Sequence, residues 1–100
     1  MLIDVTFRHM DSAPMLREHA IERSNKLSRY FDQVQDVHVV LSTEKINHIA
    51  EIAVHTPGEV FKASATSTDM YKSIDQAIEK LERHLVKRKE KVKVESHRGA

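Results

Sequence analysis

Four basic residues near the C-terminal end of the sequence are spaced three, four and four positions apart: Lys80, Arg83, Lys87 and Lys91. An apolar stripe with helical spacing runs through the same segment, at Ile74, Ile78, Leu81 and Leu85. On an α-helix, with about 100° per residue, the two sets fall on opposite sides. One side can therefore be buried while the other presents fixed cations, the groups that bind phosphate oxygens.

Positive charge is concentrated in this segment. Residues 80–93 hold seven Lys and Arg against two Glu, whereas residues 1–79 hold eight Lys and Arg against twelve Asp and Glu. This distribution favours a polyanionic partner, and nucleic acid is the first candidate. The alternative is a solvated helix face whose C-terminal cations are favoured by the helix dipole. A solvated face would mix charges, however, and the like-charged neighbours Lys87 and Lys91 repel each other slightly.

The flank of the predicted first helix carries a second, partly basic set, at His19, Arg23, Lys26 and Tyr30. Arg23 and Lys26 could instead be solvated, with their aliphatic side chains lying along the edge of the core. If the two helices lie side by side, the two basic rows could border one groove several phosphates wide. The chain has only five aromatic residues and no Trp. We therefore expect recognition to depend on phosphates and shape rather than on stacked bases.

Residue types that would support metal binding or catalysis are present without the required spacing. Seven histidines occur, at positions 9, 19, 38, 48, 55, 84 and 97, but they form no His-Glu-x-x-His motif, and Cys is absent. We expect His38, His48 and His55 to be exposed on strand faces and to bind no metal. The sequence also lacks a Gly-x-Ser-x-Gly motif and a glycine-rich phosphate loop. It thus predicts a protein that is no enzyme and has no cofactor and no small-molecule substrate.

Hydropathy periodicity predicts the elements that position these residues. Alternating apolar and polar residues predict four strands, over 2–9, 37–42, 46–55 and 60–66. The turn residues Pro57 and Gly58 separate the last two strands. Helical spacing predicts a first helix from a cap at Asp11 or Ser12 to about Tyr30, and a second from a cap at Ser67, Thr68 or Asp69 to about Lys91.

The predicted order, βαβββα, indicates an α+β fold. We expect a two-layer sandwich with a four-stranded mixed sheet, its first two strands parallel, and both helices on one face. Residues 1–93 are predicted to form one domain and residues 94–100 a flexible tail. No apolar run approaches the roughly 18 residues of a membrane span, and no signal-peptide pattern opens the chain. We therefore expect a cytoplasmic protein with no membrane partner, monomeric when free.

Several short segments resemble one known family. The residues from Asp69 to Asp75 (DMYKSID), followed by KLERHL from Lys80 to Leu85, are similar to the bacterial hibernation-promoting factor and ribosome-associated inhibitor family, in its short form. Members typically read DMYAAID and KLERQL here. The N-terminal half agrees at Leu16-Arg17-Glu18, Lys26-Leu27, Tyr30-Phe31 and Val39-Val40-Leu41. The resemblance covers about residues 1–93, with departures at Lys72-Ser73 and His84.

The resemblance implies the same βαβββα fold, which is similar to that of double-stranded-RNA-binding domains. It implies a ribosome hibernation factor that binds the small ribosomal subunit in the cleft between head and body. Such proteins exclude transfer RNA and messenger RNA and silence translation when growth slows; whether ribosomes are also paired stays open. Family members contact ribosomal RNA through basic residues on both helices, which here would be Arg23, Lys26, Arg29, Lys80, Arg83, Lys87, Arg88 and Lys91.

The residues leave a second class of function open. A small regulatory module could bind another protein through its exposed sheet face. Salt dependence separates the two, because RNA binding releases counterions and weakens steeply as salt rises.

Overall fold

The computed structural model describes residues 1–29 and 33–98, with side chains described as far as Arg88. In chain order its elements are β1 (Leu2–Arg8), α1 (Pro14–Asn25), a 3₁₀ turn (Lys26–Arg29), β2 (Asp36–Glu44), β3 (Asn47–Thr56), β4 (Glu59–Ser67) and α2 (Met70–Arg98). The predicted βαβββα order is confirmed.

The strands form one mixed sheet in the order β1-β2-β3-β4. β1 runs parallel to β2, while β2 with β3 and β3 with β4 are antiparallel. The register sets Val5 beside Val39, and Val39 beside Ile52. Because side chains alternate along a strand, this pairing gathers the apolar positions of neighbouring strands on one face and leaves polar positions on the other.

Both helices cover the apolar face of the sheet. α1 packs on β1 and on α2, and α2 packs on β3 and β4. The largest fully buried side chains come from the 3₁₀ turn, the sheet and α2, and include Leu27, Leu41, Ile52, Ile74, Leu81 and Leu85. They form one core. The predicted two-layer α+β sandwich, with its helices on one face, is therefore confirmed.

The start of α1 differs from the prediction of a cap at Asp11 or Ser12. The helix begins at Pro14, and the capping position falls on Ala13, which makes no side-chain cap hydrogen bond. A residue before proline is driven away from helical geometry, and Ala13 is extended, with φ −132° and ψ 107°. Pro14 thus sets the boundary, and the polar residues before it lie too early to cap.

The helical run continues to Arg29, next to the predicted end near Tyr30, but only part of it is a regular α-helix. The α-helix ends at Asn25 and tightens into the 3₁₀ turn. At the junction the Lys26 N–H donates to the carbonyl groups of Arg23 and Ser24, and the bond to the third residue back is the one that defines a 3₁₀ turn. The turn places Leu27 in the core with no exposed surface. Tyr30 itself lies outside the described residues.

The ends of α2 follow from local chemistry. Asp69, one of the three predicted caps, accepts a hydrogen bond from the Tyr71 N–H at 2.9 Å. The helix runs to Arg98, beyond the predicted end near Lys91. No Gly or Pro occurs between Met70 and Gly99, so the sequence offers no earlier stop signal for this helix. Flexibility of residues 94–100 stays a prediction.

Candidate nucleic-acid interface

The basic row of α2 stands on the side of the helix that faces away from the core. Leu81 and Leu85 are fully buried, whereas Lys80, Arg83 and Lys87 are exposed. The buried side packs against β3 and β4, and this packing fixes the rotation of the helix about its axis. The cations therefore keep their direction. The side chain of Lys91, the fourth predicted member of the row, lies outside the described residues.

Lys80 and Arg88 are both held by the edge strand β4. The Lys80 Nζ atom donates a hydrogen bond to the carbonyl oxygen of Ser64 at 2.7 Å. The Arg88 Nη2 atom lies 2.9 Å from a carboxylate oxygen of Glu59, at the start of β4. The Arg88 charge is thus partly neutralised within the fold, while Lys80 keeps its charge and gains a fixed direction.

Arg83 and Lys87 differ from these two residues. Among the side chains described up to Arg88, no carboxylate lies within 4 Å of either basic group. Both are exposed. Since neither is engaged by a carboxylate among the side chains described up to Arg88, both offer their charge to an external anion.

Arg23 is fixed between the helices. Its Nε atom lies 3.0 Å from Asp75 Oδ1, and His19 Nε2 lies 2.8 Å from the same oxygen. The His19 ring also meets the Tyr71 ring edge-on, with centroids 5.0 Å apart. These contacts tie α1 to the first turns of α2 and occupy the Arg23 guanidinium, which is 39% exposed.

The other two predicted contacts on the first helix, Lys26 and Arg29, fall in the 3₁₀ turn rather than on a regular α-helix. Lys26 is half-buried and Arg29 is exposed. Because α1 ends before them, a helical wheel drawn for one continuous α-helix does not give the directions of their side chains.

The groove expected between the two basic rows stays a prediction, and the flank of α2 that faces α1 carries acidic residues. Asp75, Glu79 and Glu82 are spaced four and three apart, so they occupy one flank of α2. The Asp75 contacts show that this flank faces α1. An acidic strip therefore lies on the flank of α2 that faces α1, and both basic sets lie on the helix-covered side of the sheet.

The structure also gathers residues that the sequence reasoning dismissed. On the open face of the sheet, Asp36, His38 and His55 bring three potential metal-ligand atoms within 4.8 Å of one another. Asp36 stands opposite His55 in the β2–β3 register. A hairpin register drawn from the sequence could have found this group, whereas a search for linear motifs could not.

The family model described as "Sigma 54 modulation protein / S30EA ribosomal protein" matches residues 3–93. The chain is 39% identical over 93 residues to a "Ribosome hibernation promoting factor" of Escherichia coli (strain K12), covering 93% of this chain and 98% of that protein.

Two further similar proteins also have names that refer to the ribosome. A "Ribosome-associated factor Y" of Haemophilus influenzae is 41% identical over 87 residues, covering 87% of this chain and 81% of that protein. The solved structure of a ribosomal subunit interface protein from Coxiella burnetii has a TM-score of 0.79 at 34% identity, covering 89% of this chain and 98% of the other. Among the described residues, no helix combines the length and apolarity that crossing a bilayer requires.

Proposed function

This chain belongs to the Sigma 54 modulation protein / S30EA ribosomal protein family, and from that premise we propose that it is a ribosome hibernation factor. It binds the small ribosomal subunit through ribosomal RNA, lodges in the decoding cleft and silences translation by excluding transfer RNA and messenger RNA. It acts in the cytoplasm, is monomeric when free, and makes or breaks no covalent bond.

The observation that carries the RNA-binding part is the exposed row on α2. Three cations project from one side of a helix whose other side is locked into the core. Phosphate oxygens are the natural ligands for such a row, since charge-assisted hydrogen bonds are the strongest that Lys and Arg form. A rigid two-layer domain keeps the row in place, so binding requires little ordering of the protein.

The geometry also suggests unequal roles for the predicted contacts. Arg83 and Lys87, which have no carboxylate nearby in the described structure, bind phosphates directly. Lys80, directed by the Ser64 carbonyl, binds at the sheet edge. Arg23 keeps its contact with Asp75 and supplies a weaker, oriented charge. Lys26, Arg29 and Lys91 extend the surface, and Arg88 contributes least because Glu59 engages it.

The test is co-sedimentation with small ribosomal subunits of the triple variant Lys80→Ala, Arg83→Ala and Lys87→Ala. We expect affinity to fall by roughly a hundredfold or more, because two charge-assisted hydrogen bonds alone contribute about 3 kcal/mol. The slope of log affinity against log salt should become shallower by about 2–3, since fewer phosphates are neutralised.

A matched control removes three cations elsewhere: Arg8, Lys45 and Lys62, all exposed and none on a helix. The control should retain binding within a few-fold, and both triple variants should unfold at the temperature of the wild type. Equal losses in the two variants would mean that only net charge matters and would overturn the assignment of the surface.

The open sheet face supports a second candidate, a protein-binding module. A depression there is lined by residues of both charges, including Arg8, Glu51 and Lys62. If this face were the functional one, the control variant would lose binding, the α2 variant would keep it, and the salt slope would be shallow.

A further inference from the structure

Four side chains from three strands converge on the open face of the sheet, opposite the helices. Asp4 comes from β1, Asp36 and His38 from β2, and His55 from β3. The register accounts for their meeting, because Asp4 pairs with His38 and Asp36 pairs with His55. Asp36 and His38 are two residues apart on one strand and so point to the same face.

We propose that Asp36, His38 and His55 form a binding site for one divalent transition-metal ion, with Zn²⁺ as the best match. The site goes beyond the proposed hibernation function and does not depend on it. Its residues lie on the face of the sheet away from the α2 row, so a metal here and RNA on the helices do not compete for the same side chains.

The distances suit a metal. Asp36 Oδ1 lies 3.2 Å from His38 Nε2 and 2.8 Å from His55 Nδ1. Two ligands bound to zinc at about 2.0–2.1 Å in tetrahedral geometry lie roughly 3.3 Å apart. The three ligand atoms all fall within 4.8 Å of one another, so small side-chain rotations bring them onto a common ion.

Asp4 completes the arrangement by holding His38 in the required tautomer. The His38 Nδ1 atom lies 2.6 Å from Asp4 Oδ2. A proton on Nδ1 that is donated to this carboxylate leaves the Nε2 lone pair, on the Asp36 side, free to bind a metal. Metal-binding histidines commonly carry such a carboxylate partner, which fixes the ring and raises its basicity.

The Asp36 carboxylate gives a second, independent indication that the cluster binds a cation. Its Oδ1 atom is buried, yet it has no hydrogen-bond partner among the described residues. The two imidazole nitrogens approach it closely, but neither contact has hydrogen-bond geometry. Buried carboxylate oxygens in folded proteins are normally satisfied. A cation at the point where the three atoms converge would satisfy this one.

The ligand chemistry selects the class of ion. Two imidazoles and one carboxylate favour Zn²⁺ and its neighbours in the first transition row, whereas Mg²⁺ and Ca²⁺ prefer sites made of oxygen ligands alone. The side chains are between 30% and 39% exposed, so at least one coordination position faces solvent. Water or a group from a binding partner would fill it, which describes an open site rather than a closed structural one.

The first test uses the wild-type protein without a histidine tag. ZnCl₂ is titrated while the imidazole signals of all histidines are followed by two-dimensional NMR. We expect the His38 and His55 signals to shift together and to saturate at one equivalent, with the remaining histidines unchanged. If no histidine responds up to ten equivalents, or a different set responds, the site does not exist and the cluster is a hydrogen-bonded network only.

The second test measures zinc affinity by calorimetry in single variants. His38→Ala and His55→Ala should each weaken binding by at least a hundredfold, and Asp4→Asn by about 10–100-fold, as expected for loss of an outer carboxylate partner. His84→Ala, an exposed histidine on α2, is the matched control and should bind as the wild type does. Equal affinity in all four variants overturns the proposal, and the NMR titration decides the matter if a variant fails to fold.

Discussion

The two helices present their basic residues in different ways. On α2, Arg83 and Lys87 are exposed and stand clear of carboxylates among the described side chains. On α1, Arg23 is bound to Asp75 at 3.0 Å. Both helices carry cations at helical spacing, so spacing alone does not tell which charges are available to a partner. Availability depends on which side of each helix its neighbour covers.

The helices also differ in how they are anchored. α2 has a side-chain cap at Asp69 and a fully buried stripe that includes Leu81. α1 has no side-chain cap and ends in a 3₁₀ turn. Its apolar contribution to the core is smaller, with Ala20 buried and Leu16 and Ile21 half-buried. Polar contacts add to it, including the Arg17 bond to the Val5 carbonyl oxygen at 3.2 Å. We infer that α2 is the platform of the proposed surface and that α1 is positioned by docking against it.

The largest effect expected from this difference is on stability. Leu81→Ala removes a fully buried side chain beneath the basic row and should lower the free energy of unfolding by roughly 2–5 kcal/mol, because a cavity remains. Leu16→Ala on α1 is the matched comparison, since Leu16 is only half-buried and should cost less. Urea denaturation measures both. Equal losses would show that α1 is as firmly packed as α2.

An intermediate effect is expected on ribosome binding from two neighbouring residues of α2. Lys87→Ala should weaken binding about tenfold, the equivalent of one charge-assisted hydrogen bond of about 1.5 kcal/mol. Arg88→Ala should weaken it less, because Glu59 already holds Arg88 at 2.9 Å. Competition binding to small subunits at fixed salt compares them. If Arg88→Ala has the larger effect, the Glu59 contact must open on binding. In that case a contact with a carboxylate in the free protein does not tell which cations bind RNA.

Much of the fold could be predicted because its determinants are local in the sequence. Alternation of apolar and polar residues predicts the four strands. The observed register pairs the apolar positions of β1, β2 and β3 with one another. Asp69 was among the candidate caps because a carboxylate before a helical apolar stripe can bond to free N–H groups. The start of α1 was missed because Pro14 determines the conformation of Ala13, and this outweighs the capping preference of Asp11 and Ser12.

The candidate site was less predictable because it depends on contacts between elements. The α2 row could be read from its spacing, since the buried stripe fixes which side is exposed. The spacing does not reveal which residues hold these cations. Each partner lies far along the chain from its cation or on another element, as Ser64, Glu59 and Asp75 do. The cluster of Asp36, His38 and His55 was missed for the same reason: its meeting depends on strand register rather than on sequence spacing.

The smallest effect tests the junction between the helices. Asp75→Asn removes the charge that pairs with His19 and Arg23, so stability should fall by about 0.5–1 kcal/mol, as for other partly exposed ion pairs. Ribosome binding should nevertheless tighten by about twofold, since a negative charge near the surface is lost and Arg23 is released. Glu79→Gln, on the same flank, removes an equal charge and should tighten binding without the loss of stability. If Asp75→Asn weakens binding while Glu79→Gln strengthens it, then Arg23 must be held in place to contact RNA, and the paired state is the active one.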